Sequence, residues 1–294
     1  MIIDTHLAGK LIAEQFPMWA DLPVSPVATS GWDNRTFHLG DEMLIRLPSS
    51  ADYAGQVSKE QQWLARLAAE LSVRIPAPLA VGKPSEIYPF PWSVYRWIPG
   101  ETAAAHPPAD KIQFARDLAH FLNEFQKIDA SGGPSAGLHN FYRGGDLAVY
   151  DSETRHALTQ LSTQTHCTLL EKIWEKGLNS HWTSPPVWVH GDISAGNLLT
   201  ADNRLQAVID FGQLGTGDPA CDFVMAWTFF DTQSRRVFFD TLQTDDATRE
   251  RAMAWALWKA MIVSINPHNT NVTEARQAAR TLEQIINDAT QQNL

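Results

Sequence analysis

The spacing of apolar residues in the first hundred positions predicts helices and strands in turn. A first helix should begin after Asp4 or Thr5, since either side chain can cap a helix N-terminus. Two short runs with alternating apolar residues follow at 35–39 and 42–47, and a glycine-aspartate pair separates them. A glycine turn between two such runs predicts a β-hairpin.

A helical stripe at about 52–71 places one charged residue among apolar ones. Glu60 falls on the face that also carries Val57, Leu64, Leu67 and Leu71. An ionised carboxylate on a buried face needs a cationic partner, because burial disfavours an isolated charge. Two alternatives stay open: Glu60 pairs with a cation, or it reaches solvent at the edge of the stripe.

The periodicity changes near residue 100. Five prolines between positions 76 and 91 break the chain into short extended pieces, and the apolar run 92–98 predicts a buried strand that ends at Pro99-Gly100. The elements predicted beyond it are a helix at about 109–128, a helix near 151–177, short strands at 187–189 and 205–209, and helices from Asp222 onward. The expected fold is α+β, with a β-rich N-terminal lobe at 1–99 and a mainly helical C-terminal lobe at 100–294.

The composition is that of an ordinary globular protein, with 44% hydrophobic and 19% charged residues in 294 positions. No apolar run reaches the roughly 18 residues of a membrane span, so no membrane partner is expected. The first residues lack the basic and apolar pattern of a secretory signal. Cys167 and Cys221 have neither a disulfide framework nor metal-ligand spacing, so we expect a cytoplasmic protein.

The formal net charge of −10 argues against nucleic acid as a partner, because binding nucleic acid usually requires a basic surface. An acidic surface would suit a cationic substrate. The same charge also serves solubility, so both explanations stay open. The sequence leaves the oligomeric state undetermined.

Candidate chemistry is concentrated in two segments that each follow a short apolar run. The first is the segment His190-Gly191-Asp192, with Asn197 five residues after the aspartate. The second begins at Asp210, eighteen residues after Asp192, and continues as Phe-Gly. A loop that follows a buried strand can aim such side chains from a rigid scaffold.

Phosphoryl transfer requires this set of side chains. Its transition state spreads negative charge over phosphoryl oxygens, so catalysis rests on alignment and on cation placement. Mg²⁺ prefers oxygen ligands and takes few of them from the protein. Asp210 can supply a carboxylate and Asn197 an amide oxygen, which leaves Asp192 to align an acceptor hydroxyl and take its proton.

The pattern resembles the catalytic loop and metal-binding segment of the protein-kinase-like superfamily, and its His-Gly-Asp form is similar to the aminoglycoside phosphotransferase/choline kinase branch. The segment from Gly215 to Asp222 also resembles that branch. The resemblance implies a bilobal kinase-like fold, with a nucleotide in the cleft between the lobes. It implies that Asp192 is the catalytic base, His190 positions the loop, and Asn197 and Asp210 bind Mg²⁺. Asp218 and Asp222 would brace the loop or its neighbouring helix.

In kinases a lysine on the third strand binds the α- and β-phosphates and pairs with a helix glutamate. The matching position here holds Arg46, and the following helix carries Glu60. Pairing Arg46 with Glu60 would explain the charge on the apolar stripe. An arginine can bind phosphate, although its geometry differs from that of lysine. The alternative explanation of Arg46 is an exposed arginine at a strand edge without a phosphate role.

Two further nucleotide contacts are implied by the resemblance. Ser30 and Gly31 lie where a phosphate-binding loop is expected, although no Gly-x-Gly-x-x-Gly motif is present and an ordinary turn also fits. The run 92–101 resembles the hinge segment whose backbone binds adenine. That similarity implies contacts from the Arg96 carbonyl and the Ile98 N–H, with ATP as the nucleotide or GTP in its place.

The expected function is transfer of the γ-phosphoryl group to a hydroxyl of a small molecule of the aminoglycoside, macrolide or amino-alcohol type, which includes an antibiotic as acceptor. The segment 138–150 lies where this branch varies with substrate, and it either shapes an acceptor site or forms a plain capped loop. Two other functions stay open. One is a nucleotide-binding pseudokinase that acts as a regulator, and the other is a phosphohydrolase with an aspartate nucleophile.

Overall fold

The computed structural model describes residues 2–27, 31, 33–161, 166–266 and 270–292. These residues form two compact units, one of residues 1–100 with 206–212 and one of residues 101–205 with 213–294. The sequence prediction placed all of 100–294 in the second lobe. The structure instead assigns the short segment that contains Asp210 to the first unit, because strand Arg204–Val208 continues there and pairs at Ala207 with Arg74.

The first unit is a five-stranded antiparallel sheet with two helices. Its elements are α1 Thr5–Gln15, β1 Val24–Pro26, β2 Asn34–Leu39, β3 Met43–Pro48, α2 Ala51–Ala68, β4 Pro78–Gly82 and β5 Trp92–Arg96. The strand order is β1-β2-β3-β5-β4. The predicted hairpin is confirmed as β2 and β3, with Gly40 in a left-handed conformation at the turn (φ 59°).

The core of the first unit lies between α1 and one face of the sheet. Asp4 caps α1 by accepting a hydrogen bond from the Leu7 N–H (2.9 Å). The buried residues of this core are Ala8, Leu11, Ile12, Phe37, Leu39, Ile45, Leu47, Tyr88, Trp92 and Val94. The alternation along β3 buries Ile45 and Leu47 here, so Arg46 points to the opposite face of the sheet.

The second unit contains seven helices and short strands in the part of the chain that the structure describes. Its elements are β6 Glu101–Thr102, α3 Lys111–Lys127, α4 Asp151–Gln160, α5 Cys167–Leu178, β7 Val187–Val189, β8 Leu198–Ala201, β10 Gly215–Gly217, α6 Met225–Thr228, α7 Thr232–Leu242, α8 Asp246–Ser264 and α9 Val272–Gln291. The strand that starts at Arg204 is β9, which continues into the first unit. β6 pairs with β8, and β7 pairs with β10.

Helix α8 is the centre of the second unit and contacts α4, α5 and α9. Most of its residues are buried, which accounts for the aromatic residues that the sequence places on several of its faces. The prediction of one helix near 151–177 is wrong: two helices occupy that range, α4 and α5, and the first ends by Leu161. The mixed fold with a sheet-rich first part and a helical second part is confirmed.

None of the helices in the described part of the chain is both long and apolar enough to span a bilayer.

Candidate active site

The His-Gly-Asp loop of the second unit is held by one buried aspartate. Asp222 accepts hydrogen bonds from the backbone N–H groups of His190 (2.7 Å) and Gly191 (2.8 Å). Burial raises the pKa of Asp222 above its ordinary value, against the His190 ring and the backbone N–H groups that lower it. Asp222 therefore binds the start of the loop directly, in the position that the sequence prediction gives it.

The turn at Gly191 requires glycine. Its φ is 82°, a left-handed conformation, and an added Cβ would lie 2.6 Å from the Gln213 carbonyl oxygen and 3.0 Å from Arg143 Cβ. Any side chain here would displace the loop that carries Asp192.

Asp192 and Asn197 face each other across this loop. The Asn197 amide nitrogen donates to the backbone oxygen of Asp192 (2.9 Å) and to its carboxylate (3.0 Å). The Asp192 N–H donates to His190 Nδ1 (3.1 Å), and His190 is fully buried. These bonds fix the direction of a half-buried carboxylate, which is what a group that aligns a hydroxyl needs.

Asp218, the other predicted bracing acid, pairs with a buried arginine of α8. Arg251 donates to the Asp218 carboxylate from Nε (2.7 Å) and Nη2 (3.3 Å), and both side chains are almost inaccessible to solvent. Arg251 also donates to Ser180 (2.9 Å). A planar guanidinium matches a carboxylate in this forked geometry. The pair ties the segment before Asp222 to helix α8.

In the first unit, Arg46 binds two carboxylates at once. Its Nη1 donates to Glu60 (3.1 Å) and its Nη2 to Asp210 (2.7 Å). The side chains of Arg46 and Glu60 are 12% and 4% exposed, whereas Asp210 is 39% exposed. The predicted pairing of Arg46 with Glu60 is therefore present, and the contact of Arg46 with Asp210 is one that the sequence did not indicate.

Tyr95 extends this polar chain to strand β5. Its hydroxyl donates a short hydrogen bond to Glu60, and its ring lies 5.9 Å from the Arg46 guanidinium. Burial and the Glu60 charge raise the pKa of Tyr95, so the hydroxyl remains a donor. Burial opposes the charge of Arg46, but Glu60 and Asp210 raise its pKa above the ordinary value. Tyr95, Glu60, Arg46 and Asp210 form one connected chain of hydrogen bonds.

Three of the four remaining residues that were predicted to bind nucleotide, Gly31, Arg96 and Ile98, lie in the described part of the chain. Ser30 lies outside the described residues. The Gly31 carbonyl accepts a hydrogen bond from Arg35 (2.9 Å), and a Cβ added at Gly31 would meet no atom within 4 Å. Arg96 ends β5 opposite Met43, and Ile98 is buried just beyond it. No hydrogen bond to the Ile98 N–H is present among the described residues.

Each of the two predicted metal ligands, taken by itself, offers an oxygen donor of the kind that Mg²⁺ prefers. Asp210 offers a partly exposed carboxylate. The Asn197 nitrogen is used by Asp192, which leaves the amide oxygen as the available acceptor. Within the described ranges, no group of three or more His, Cys, Asp or Glu side chains is arranged to bind a metal. Mg²⁺ does not require such a group, since it keeps water and phosphate ligands.

The sequence analysis did not predict one cluster of side chains near the His-Gly-Asp loop. The Arg143 guanidinium lies 5.1 Å from the Trp255 ring and 4.8 Å from the Trp258 ring, and Tyr150 stacks on Trp258 (3.9 Å). Residues 138–150 supply Arg143 and Tyr150, and helix α8 supplies both tryptophans. The available signals were an arginine in that segment and the Trp-x-x-Trp spacing, but nothing in the sequence links them.

A cavity of about 640 Å³ lies beside this cluster, among α4, α8, α9 and the residues after α8. Ala256, Ala260, Val263 and Ala278 give it apolar walls, and the charged side chains that line it are Glu153, Lys259 and Glu274. Its volume is in the range of small-molecule sites.

Comparison with solved structures identifies the fold. Aminoglycoside 2'-phosphotransferase-IIIa, solved with GDP, matches with a TM-score of 0.70 and 21% identity, over 97% of this chain and 100% of that one. Macrolide 2'-phosphotransferase MphH from Brachybacterium faecium matches with a TM-score of 0.62 and 20% identity, over 95% and 97%. The fold is that of the kinase-like phosphotransferases, as predicted.

The family follows from the sequence itself. The chain belongs to the phosphotransferase enzyme family, whose model matches residues 24–255. The prediction that the chain belongs to the aminoglycoside phosphotransferase branch is thereby confirmed. The uncharacterized protein YcbJ of Bacillus subtilis (strain 168) is 26% identical over 206 residues, which is 65% of this chain and 64% of that protein. The match thus spans just under two thirds of that relative.

Proposed function

We propose that this protein transfers the γ-phosphoryl group of a Mg²⁺-bound purine nucleoside triphosphate, ATP or GTP, to a hydroxyl group of a small molecule. The observation that carries the proposal is the construction of the His-Gly-Asp loop. Asp222 and Asn197 fix the backbone and the carboxylate of Asp192, which leaves a half-buried base aimed from a rigid turn. A turn-capping aspartate would not need this support.

In this proposal Asp192 accepts a hydrogen bond from the acceptor hydroxyl, holds it in line and takes its proton as the new O–P bond forms. His190 keeps the loop in place through its ring nitrogen. Asn197 has two tasks, since its nitrogen orients Asp192 and its oxygen is the ligand offered to the metal.

The first unit would bind the nucleotide. Bound Mg²⁺ would neutralise charge on the phosphates. Asp210 and Asn197 are the ligands that we propose for it. Arg46 is proposed to hold Asp210 and to contribute positive charge near the phosphates. The nucleotide base would meet the Arg96 carbonyl and the Ile98 N–H, and the phosphates would meet Ser30 and Gly31.

The nucleotide and acceptor classes are suggested by solved relatives. One aminoglycoside phosphotransferase is described in complex with streptomycin and ATP, another with GDP and kanamycin. For this chain we therefore propose a hydroxyl acceptor of aminoglycoside, macrolide or amino-alcohol size, including antibiotics. Both cysteines are free, which agrees with a reducing compartment such as the cytoplasm.

The test separates chemistry from binding. Asp192→Asn keeps the size of the side chain but removes the base, so phosphoryl transfer should fall by about 10²-fold or more while nucleotide still raises the melting temperature. Asp210→Asn should weaken nucleotide stabilisation in Mg²⁺ but not in EDTA. Transfer at the wild-type rate in Asp192→Asn would contradict the assignment.

A second function is favoured by one observation. Arg46 replaces the usual lysine, and both of its terminal nitrogens already contact carboxylates. This arrangement suits a pseudokinase that binds nucleotide and regulates another protein. Tight nucleotide binding without transfer to any of a broad set of hydroxyl compounds would favour the regulator. Trapping of a phosphoaspartate would instead indicate the phosphohydrolase.

A further inference from the structure

Two cations of the second unit, Arg143 and Lys259, lie against the Trp258 ring. Arg143 and Lys259 form no ion pair within the described part of the chain. Arginines 155, 204, 235 and 251 of the same unit each pair with at least one aspartate or glutamate.

Arg143 packs against the His-Gly-Asp loop. The space beside Gly191 is closed by Arg143 Cβ, and Arg143 Nε donates a long hydrogen bond to Gln213 (3.4 Å). Its guanidinium lies over two indole rings, Trp255 and Trp258. Stacking fixes the plane of the guanidinium but leaves its terminal N–H groups for another partner.

The chain before Arg143 is held in an unusual conformation. Phe141 and Tyr142 have φ values of 52° and 54°, and two successive left-handed residues other than glycine are uncommon. The Tyr142 N–H donates to Gly137 O (2.8 Å), and the Tyr150 hydroxyl donates to Phe141 O (2.6 Å). A strained segment that persists is overdetermined by its surroundings, and such segments cluster at functional sites.

Lys259 lies where the cavity meets the aromatic cluster around Arg143. It lines the cavity of about 640 Å³, and its ammonium lies 6.0 Å from the Trp258 ring. The protein packed around it and the Arg143 charge lower the pKa of Lys259, whereas Asp192, Glu274 and Glu153 raise it. Lys259 is thus within electrostatic reach of both Arg143 and Asp192.

The carboxylates of the same cavity already have structural partners. Glu153 accepts a hydrogen bond from Trp258 Nε1 (2.7 Å). Glu274 closes the capping box of α9 and accepts from the Asn271 N–H (3.4 Å). The two cations have no charged partner: the Lys259 ammonium makes no hydrogen bond in the described part of the chain, and the Arg143 guanidinium bonds only to the neutral Gln213 side chain.

We infer that the acceptor of this phosphotransferase carries an anionic group, a carboxylate or a phosphate, beside its hydroxyl and a planar or apolar body. The anion would bind the terminal N–H groups of Arg143 and the Lys259 ammonium. The body would lie against the walls of the cavity. This inference rests on the proposed function and narrows its acceptor, since a polyamine such as an aminoglycoside would be repelled by both cations.

The inference is tested with one molecular frame in three charge states. Phenyllactate, phenylpropanediol and phenylalaninol each carry a hydroxyl and a phenyl ring, and they differ in an anionic, a neutral and a cationic group. Kanamycin is added as the polycation, and 2-hydroxy-3-phenylpropyl phosphate, which keeps a free hydroxyl, compares phosphate with carboxylate. Binding is measured by calorimetry with the full chain, and transfer is measured with Mg²⁺ and nucleotide.

The expected order is phenyllactate first, then the diol, then the amine. In Arg143→Gln and in Lys259→Gln the affinity for phenyllactate should fall about tenfold, while that for the diol stays within about twofold. Lys111→Gln is the matched control. Lys111 also lies over a ring of the same unit, that of Phe229 (5.2 Å), but it belongs to another helix. This control should leave all three affinities unchanged.

Several results would overturn the inference. Tighter binding of kanamycin or phenylalaninol would reverse the charge of the acceptor. An equal loss of affinity for all three probes in both variants would contradict an anion site. It would indicate that the two cations bind the transferred phosphoryl group instead. Failure of every probe to bind at millimolar concentration, with nucleotide binding intact, would also reject it. In each case transfer to any other hydroxyl compound shows that the proposed function survives, whereas nucleotide-dependent stabilisation without transfer shows only that the nucleotide site is intact.

Discussion

One charged cluster in each unit satisfies its cations in a different way. In the first unit Arg46 is buried between Glu60 and Asp210, and Tyr95 donates to the same glutamate. In the second unit Arg143 lies over two tryptophan rings and Lys259 lines a cavity, with no ion pair for either among the described residues.

The difference follows from what each charge costs. A buried charge without a partner is expensive, so the first unit must satisfy Arg46 internally. A half-exposed charge over an aromatic ring keeps water and loses little. Neutralised charges hold other groups in position, whereas available charges can bind a ligand. Each prediction below changes one residue, either of the Tyr95–Glu60–Arg46–Asp210 chain or of the cluster around Arg143. The predictions are ordered by their expected effect on stability.

Glu60→Gln should have the largest effect. It leaves Arg46 and the Tyr95 hydroxyl in a buried site without their shared carboxylate, which should cost about 3 kcal/mol of unfolding free energy. Urea denaturation measures the loss. Glu70→Gln is the control, since its pair with Arg66 is long (4.0 Å) and exposed, and it should change stability by less than about 0.5 kcal/mol. Similar values for the two variants would show that the buried chain contributes nothing special.

Arg46→Lys tests whether the two separate nitrogens of the guanidinium are required. A single ammonium cannot reproduce the two-nitrogen contact to Glu60 and Asp210, so we expect a loss of about 2 kcal/mol and a weaker Mg²⁺ dependence of nucleotide binding. Arg35→Lys, on the neighbouring strand and bonded to a backbone oxygen, provides the comparison. Unchanged nucleotide binding in both Arg46→Lys and Arg46→Ala would remove Arg46 from the site.

Tyr95→Phe removes one hydroxyl from the chain and keeps the ring beside Arg46. Because that hydroxyl donates to a charged carboxylate, the expected loss is about 1.5 kcal/mol. Tyr88→Phe, which removes a buried hydrogen bond to the neutral Pro48 carbonyl (2.6 Å), should cost less, about 1 kcal/mol. The reverse order would argue against a charged Glu60.

Arg143→Gln should have the smallest effect on stability, within about 1 kcal/mol, since it loses the contact with the indole rings and one long hydrogen bond to Gln213. Arg251→Gln in the same unit should cost several times more, because it leaves Asp218 buried and unpaired. Equal losses would mean that Arg143 is a structural residue, and the contrast between the two units would not hold.

The sequence predicted most of the elements because their patterns are local. The β2–β3 hairpin, α2, α3 and the strand β5 follow from spacing, glycine turns and caps, and Glu60 stood out as a charge in an apolar stripe. The helix near 151–177 was wrongly predicted as continuous, since the sequence pattern does not reveal that one helix ends at Gln160 and the next begins at Cys167. Periodicity reports which face is buried, but not whether the axis continues.

The sequence by itself determined the candidate chemical set: a proposed base, two proposed oxygen donors for a metal, an arginine in the lysine position and a glutamate to pair with it. It did so because these residues occur at fixed spacings along short segments. Only the tertiary structure decided what each charge contacts. Arg46 and Asp210 are 164 positions apart, and Arg143 meets Trp258 across two separate elements. Contacts between distant segments depend on how helices and strands pack, which local spacing does not encode.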